Sequence, residues 1–323
     1  MRRIITIALL IAIAVVGAEA FARFGLGLGD PPLTVIDAEL EYIFRPGRTY
    51  ERFGNIVSYN SKSMRASEVP PAKNGDDFRV LVLGDSVVNG GALTDQKDIS
   101  SEVLARKIGA NAWVGNISAG SWGPANLLAY VTRHGWFDAD AALIVVSTHD
   151  LEDLPEFRVH YGDDFPEESP MSALSELITR YLPRHIPALG PYLRSEPSPP
   201  SVTYSPDERR QKGEAALRDL IAAAQKNVRN VVLVLHPTRT ETAGAAEESE
   251  IEQRARLTSI VKSTGVPMFD VETVAGWKTE LYRDDIHPNA AGQAAYATIF
   301  ECLLKTFGGD ASVDVCRSSG HVR

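Results

Sequence analysis

Phe78-Arg79-Val80-Leu81-Val82-Leu83-Gly84-Asp85-Ser86 is the stretch on which the fold turns. The apolar run from Phe78 to Leu83 ends at a glycine, as expected of a strand buried on both faces. Comparable runs follow at Trp113–Ser118, Ala142–Ser147 and Asn230–His236, with a shorter one at Pro267–Val271. Helical patterns fill the intervals: Ile99–Ile108, Ala125–His134, Pro206–Val228, Glu247–Val261 and Ala290–Phe307. In the third of these, Leu217, Leu220, Ile221 and Ala224 form the i, i+3, i+4, i+7 stripe of an amphipathic helix. Strands alternating with helices predict a parallel sheet covered on both faces. Right-handed crossovers then bring the strand C-termini, and any site built on them, to one edge.

Outward from this core the chain changes character. Arg2 and Arg3 precede an apolar run from Ile4 to Ala18, and Ala18-Glu19-Ala20 offers a small-x-small cleavage pattern. Fifteen helical residues span about 22 Å, short of a hydrocarbon core, unless Ala20 to Phe24 extend them. Residues 1–24 are therefore read as a signal peptide or an uncleaved membrane anchor. Either implies export, to the periplasm or to the outer face of the inner membrane. Residues 25–76 read as a linker followed by a small β-rich preface, with pieces such as Tyr42-Ile43-Phe44 and Ile56-Val57-Ser58-Tyr59 between turn signals. Residues 77–307 hold the alternating domain. The proline-rich stretch 151–205 interrupts it, with a helical pattern from Ser172 to Tyr181. It leaves from a strand's C-terminal end, where insertions serve as substrate walls or merely as surface excursions. Residues 308–323 are a tail, and Cys302 and Cys316 could pair to close it onto the last helix or remain free.

Composition excludes some functions. A net charge of −9, from 33 basic and 42 acidic residues, argues against a nucleic-acid partner. No phosphate loop, dinucleotide fingerprint or metal-ligand spacing is present, so the chemistry should rest on side chains without a cofactor. Ser86 is the first candidate. It follows the first buried strand, where a tight turn exposes a hydroxyl and the next helix offers N–H groups to an oxyanion. The plainer alternative is that Asp85 or Ser86 only caps a helix. Asp284-Asp285-Ile286-His287 precedes the last helix and should reach the same edge. A serine hydroxyl needs a base, and histidine suits it. The base in turn needs a carboxylate to fix its tautomer, and Asp284 sits one turn from His287. Adjacency makes the same geometry harder for Asp285.

Leu83–Gly90 (LGDSVVNG) and Asp284–His287 (DDIH) resemble the first and last motif blocks of the GDSL/SGNH hydrolases. The resemblance implies a three-layer α/β/α sandwich with a flavodoxin-like, five-stranded parallel sheet. It also implies Ser86, His287 and Asp284 as the catalytic triad of an esterase. The family's second block supplies a glycine N–H to the oxyanion; here Gly120 or Ser121 stands at that place, beside the N–H of Ser86 itself. The third block carries an asparagine donor. Ser147-Thr148-His149-Asp150 has His149 there instead, either as a substitute donor or as an anchor for the inserted segment. His236, Arg239 and Trp122 are read as candidate substrate contacts, with loop capping and packing as the alternatives.

The resulting expectation is hydrolysis of acyl esters, most often acetyl, on envelope or extracellular polysaccharide through an acyl-enzyme. Polysaccharide is named by analogy with the family. An O-acyltransferase would use the same triad, with a sugar hydroxyl in place of water. A protein of another class, binding or assembling carbohydrate without catalysis, is conceivable because His149 departs from the pattern.

Overall fold

The computed structural model describes residues 1–307 and 312–318. Five strands form the central sheet: β5 (Phe78–Gly84), β6 (Ala112–Ser118), β7 (Ala141–Ser147), β8 (Asn230–His236) and β9 (Met268–Asp270). All are parallel, in the order β6-β5-β7-β8-β9. This is the 2-1-3-4-5 flavodoxin-like order, whose switch point lies at the first strand. Gly84 pairs with Ser118 and Ser147 with His236, so the strand ends that carry the site are level with one another.

Alternation along each strand sends side chains to two separate cores. Leu81, Leu83, Ile144, Leu233 and Leu235 face one side. Helices α4 (Pro124–His134), α8 (Pro206–Asn227) and α10 (Glu248–Thr264) cover them. Val80, Val82, Leu143, Val145 and Val234 face the other. They meet α2 (Ser86–Asn89), α3 (Ser100–Ile108) and α11 (Ala290–Thr306). Each such aliphatic side chain, fully withdrawn from water, contributes about 1.5–3 kcal/mol. The chain is thus a three-layer α/β/α sandwich.

The N-terminal preface consists of two antiparallel hairpins: β1 (Thr34–Asp37) with β2 (Glu41–Phe44), and β3 (Arg48–Arg52) with β4 (Asn55–Tyr59). Tyr42, Tyr50, Val57 and Tyr59 pack into the same core as α4 and α8. Arg65, fully buried just after β4, donates to the carbonyls of Asn89, Gly91 and Thr94 at 2.5–2.6 Å. The preface therefore splints the loop behind Ser86.

The insertion leaves β7 and is pinned where Gly123 meets it, since a Cβ there would lie 2.1 Å from the carbonyl oxygen of Asp153. The helix expected from Ser172 is shorter and broken. Ser172 caps α5 (Ala173–Glu176), a π-turn over Leu177–Tyr181 follows, and then come α6 (Leu182–His185) and α7 (Gly190–Leu193). The N-terminal helix is longer than its apolar run suggested. Helix α1 (Arg2–Ala20) continues through a π-turn to Gly25 as a 24-residue stretch whose most apolar window has mean hydropathy 2.5. At about 1.5 Å per residue it reaches roughly 36 Å, enough for a hydrocarbon core of about 30 Å. At the other terminus Cys302 and Cys316 form a disulfide. The tail expected over 308–323 otherwise lies outside the described residues, apart from 312–318.

Candidate active site

Ser86 opens α2 directly beyond β5, at the switch point of the sheet. The buried Asp85 caps this short helix, its carboxylate accepting from Val87 N at 2.9 Å. Its role is local. From the loop before α11, His287 Nε2 lies 2.8 Å from Ser86 Oγ, bridging 201 residues of chain. His287 Nδ1 lies 2.9 Å from both carboxylate oxygens of Asp284. Asp284 Oδ1 also accepts from the backbone N–H groups of Ile286 at 3.1 Å and His287 at 2.8 Å. Burial raises the Asp284 carboxyl, but these two N–H groups and the imidazole outweigh it and hold the group below its ordinary range. Asp285, the competing carboxylate, is exposed and contributes its carbonyl to Arg239 N at 2.8 Å. The structure thus joins Ser86, His287 and Asp284 in one hydrogen-bonded relay and leaves Asp285 out.

Ser86 and His287 line an open cleft of ≈ 390 Å³ together with Gly120 and Ser121. Among the described residues, the backbone N–H groups of Ser86, Gly120 and Ser121 donate to no other group of the fold. The segment is held from behind. Tyr42 donates its O–H to the Gly120 carbonyl, and Ser121 takes the left-handed conformation at φ 57°. A Cβ on Gly120 would meet the Phe165 ring at 3.0 Å, so glycine keeps this wall thin.

His149 sits differently from the expectation of an oxyanion donor. Its Nε2 lies 3.2 Å from Asp150, 3.8 Å from Asp153 and 3.9 Å from Asp85, and it does not line the cleft. Burial raises the carboxyls of Asp85 and Asp153, the latter to about 6, while His149 opposes both shifts. Asp150 is pushed well up by burial and then by Asp85 and Asp153. The donor atoms of Asp85, His149 and Asp150 all lie within 4.8 Å of one another, so these three could jointly hold an ion. His149 already brings a compensating group into this acidic knot, and Asp153 belongs to the insertion.

The three expected substrate contacts lie elsewhere. His236 is fully buried, so it cannot touch a ligand; its Nε2 lies 2.7 Å from the Ile286 carbonyl and its Nδ1 2.5 Å from the Tyr296 hydroxyl. Burial lowers its pKa to about 3, which keeps it neutral. A carbonyl only accepts, so Nε2 carries the proton and Nδ1 accepts from Tyr296. Trp122 is buried between Tyr42 and Tyr130, where the aromatic packing consumes it. Arg239 is exposed at the start of a helical turn, away from the cleft.

The cleft instead takes Phe44, Phe53 and Tyr59 from the preface, and Phe165 and Tyr181 from the insertion. Arg283 joins them, donating to the Gly90 carbonyl at 2.7 Å while its Nε lies 3.4 Å from Asp284. Its place beside Asp284 was the only sequence signal for it. Asn89 Nδ2 bonds the Ser118 carbonyl at 3.0 Å and fixes the floor. A second cavity of ≈ 430 Å³ shares Pro31, Pro166 and Arg180 with the cleft, and adds His160, Asp163 and Glu167.

The three-layer sandwich around a five-stranded parallel sheet is that of an SGNH-type hydrolase acting on ester bonds. The chain belongs to the GDSL-like lipase/acylhydrolase family, whose model matches residues 82–295. No curated protein sequence matches it. Among solved structures it is similar to a catalytic mutant of an acetylxylan esterase from Geobacillus stearothermophilus. That match has 15% identity over 74% of this chain and 98% of that one, with a TM-score of 0.41. A lipolytic G-D-S-L protein from Veillonella parvula gives 11%, 71%, 98% and 0.42 in the same terms. A carbohydrate acetylesterase family member from Sinorhizobium meliloti gives 14%, 71%, 98% and 0.37. At these scores the likenesses carry no argument about substrate.

Proposed function

We propose that the protein is a serine esterase that removes acyl groups, acetyl foremost, from carbohydrate outside the cytoplasmic membrane. The observation that carries the reading is the relay itself, with Ser86 Oγ 2.8 Å from His287 Nε2 and His287 Nδ1 2.9 Å from Asp284. Ser86 Oγ attacks the acyl carbon as its proton passes to His287 Nε2. Asp284 fixes the tautomer and stabilises the imidazolium. The N–H groups of Ser86 and of Gly120 or Ser121 receive the oxyanion, where one donor is worth about 10²–10³ in rate. The tetrahedral centre collapses, and the alcohol leaves with the proton from His287. Water then gives a proton to His287 and attacks the acyl-enzyme, which releases the carboxylic acid and returns the proton to Ser86.

The size and lining of the cleft support a carbohydrate. A volume of ≈ 390 Å³ far exceeds an acetyl group, and aromatic faces suit the apolar faces of sugar rings. The N-terminal apolar helix supports work on the outer side of the membrane. The test is labelling with a fluorophosphonate followed by release assays on acetylated oligosaccharides and a model aryl ester. Labelling of Ser86 with free acetate as product is expected. Acyl transfer to an added sugar, with little free acetate, would make the enzyme an acyltransferase. A folded protein that neither labels nor turns over any ester would overturn the proposal.

A further inference from the structure

Helix α1 does not hang free from the domain. The Glu19 carboxylate accepts from the N–H groups of Ala173 at 3.1 Å and Leu174 at 2.8 Å, so the end of α1 caps the first helix of the insertion. Ala22, fully buried, packs with Leu28 and Ala173, and Phe53, Leu177 and Tyr181 close around them. A few residues on, Gly29 N donates at 2.7 Å to Glu176, which is itself paired with the buried Arg52. Cleavage after Ala20 would remove Glu19 and open this joint.

The same segment of the insertion carries an uncovered apolar row. Met171 and Tyr192 are 96% and 84% exposed, and Ile178, Leu182 and Ile186 lie exposed between them. Ile178 lies in the π-turn, Leu182 opens α6 and Ile186 follows it directly. Phe21 and Phe24, 63% and 84% exposed, add apolar surface at the end of α1. Charge on the segment is also one-sided. Its only acid, Glu176, is buried against Arg52, whereas Arg184 and His185 are exposed, Arg184 lying 3.5 Å from Asp164. An exposed apolar row beside Arg184, at the foot of an apolar helix, suits the interface of a bilayer.

We propose that the apolar row from Met171 to Tyr192 is a membrane-contact surface, seated on the same bilayer that holds an uncleaved α1. The lipid surface is singled out by continuity, because α1 presents an 18-residue window with no buried residue and joins this row through Glu19 and Ala22. Tyr181 and Arg180 belong to the same segment and line the cleft of Ser86. The cleft then works within reach of the headgroups, on esters presented at the bilayer. That consequence rests on the esterase reading; the contact itself does not.

The test uses full-length protein in vesicles of phosphatidylethanolamine with a minority of phosphatidylglycerol. Cys302 and Cys316 are joined, so single cysteines can be introduced and labelled with a fluorophore. The positions are Ile178→Cys, Ile186→Cys and, at the opposite edge of the sheet, Lys226→Cys. Lipids bearing a nitroxide near the headgroup should cut fluorescence about threefold at 178 and 186, as for side chains about 5–10 Å into the interface. They should leave 226 unchanged. In a second variant, Ile178→Asp, Leu182→Asp and Ile186→Asp together should abolish quenching of a label at Tyr192→Cys, while α1 keeps the protein in the vesicles. The intact mass of membrane-extracted protein should include residues 1–20. Labels at 178 and 186 that quench no more than 226 would overturn the proposal, as would a mature chain lacking α1. So would shielding at 178 without lipid quenching, which would point to a protein partner. None of these readouts depends on turnover, so failure of the esterase reading is distinguishable.

Discussion

His236 Nε2 donates to the carbonyl oxygen of Ile286 at 2.7 Å, so a core histidine at the end of β8 holds the backbone immediately before His287. The hydrogen bond is made by a fully buried ring in a shell of Trp277, Tyr282 and Tyr296. It couples the sheet to the loop that carries both the base and its carboxylate.

Replacing His236 by Gln should cost about 1–3 kcal/mol and lower ester turnover by about tenfold through misplacement of His287. The pH dependence gives a sharper readout. The folded pKa is about 3 against an ordinary 6.5, so the unfolded chain binds the extra proton between these values. Stability from this group is present above pH 6.5 and falls as pH drops toward 3, by ~1.4 kcal/mol per unit crossed. Asp153, raised to about 6, acts with the opposite sign between about 3.8 and 6. The His236 contribution is therefore read as the difference between wild-type and His236→Gln denaturation curves across that range. Parallel curves would refute it.

Ser86→Ala should abolish both fluorophosphonate labelling and turnover of a short-chain aryl ester, with an unchanged circular dichroism spectrum. The side chain is only half-buried, so its loss leaves no core cavity. Substantial residual turnover in the folded variant would remove Ser86 from the nucleophile's place.

Asp284→Asn should lower kcat by about 10³- to 10⁴-fold, because the imidazole loses the carboxylate that orients it. Asp285→Asn should change kcat less than about threefold, since its structural contribution is a main-chain carbonyl. Steady-state kinetics on the two variants decide the matter, and a reversed order would reassign the acid.

His149→Ala should destabilise the protein by about 1–2 kcal/mol, a figure discounted because the ring is partly exposed. It removes the group that offsets Asp85 and Asp153. Those carboxyls are raised by burial, so ionising them is the costly step, and the cost grows as pH rises through about 6. Melting temperatures should fall accordingly. A large loss of kcat with no change in melting temperature would instead make His149 an oxyanion donor.

Cys302→Ser or Cys316→Ser should cost about 3 kcal/mol, since the disulfide closes a loop 14 residues apart in sequence. The buried Cys316 packs beside α11, so the loss should be confined to stability. Thermal denaturation with and without reductant measures it, and turnover should be unchanged at 25 °C.

How much of this was legible in the chain depends on the range of the interaction. The five strands and their helices could be read because burial on two faces writes continuous apolar runs, and a covering helix writes a 3.6-residue stripe. Ser86, Asp284 and His287 could be singled out because each follows a strand or precedes a helix, and the sheet gathers such ends at one edge. What only the tertiary structure decided were contacts between residues far apart that leave no periodic trace. A buried histidine serving a carbonyl and one serving a ligand look alike in sequence, and so do a packed tryptophan and a sugar-stacking one. Burial therefore reassigned His236 and Trp122, and three carboxylates reassigned the surroundings of His149. The aromatic cleft wall was hidden for the same reason, because it is assembled from a preface and an insertion that lie outside the repeating pattern of the sheet.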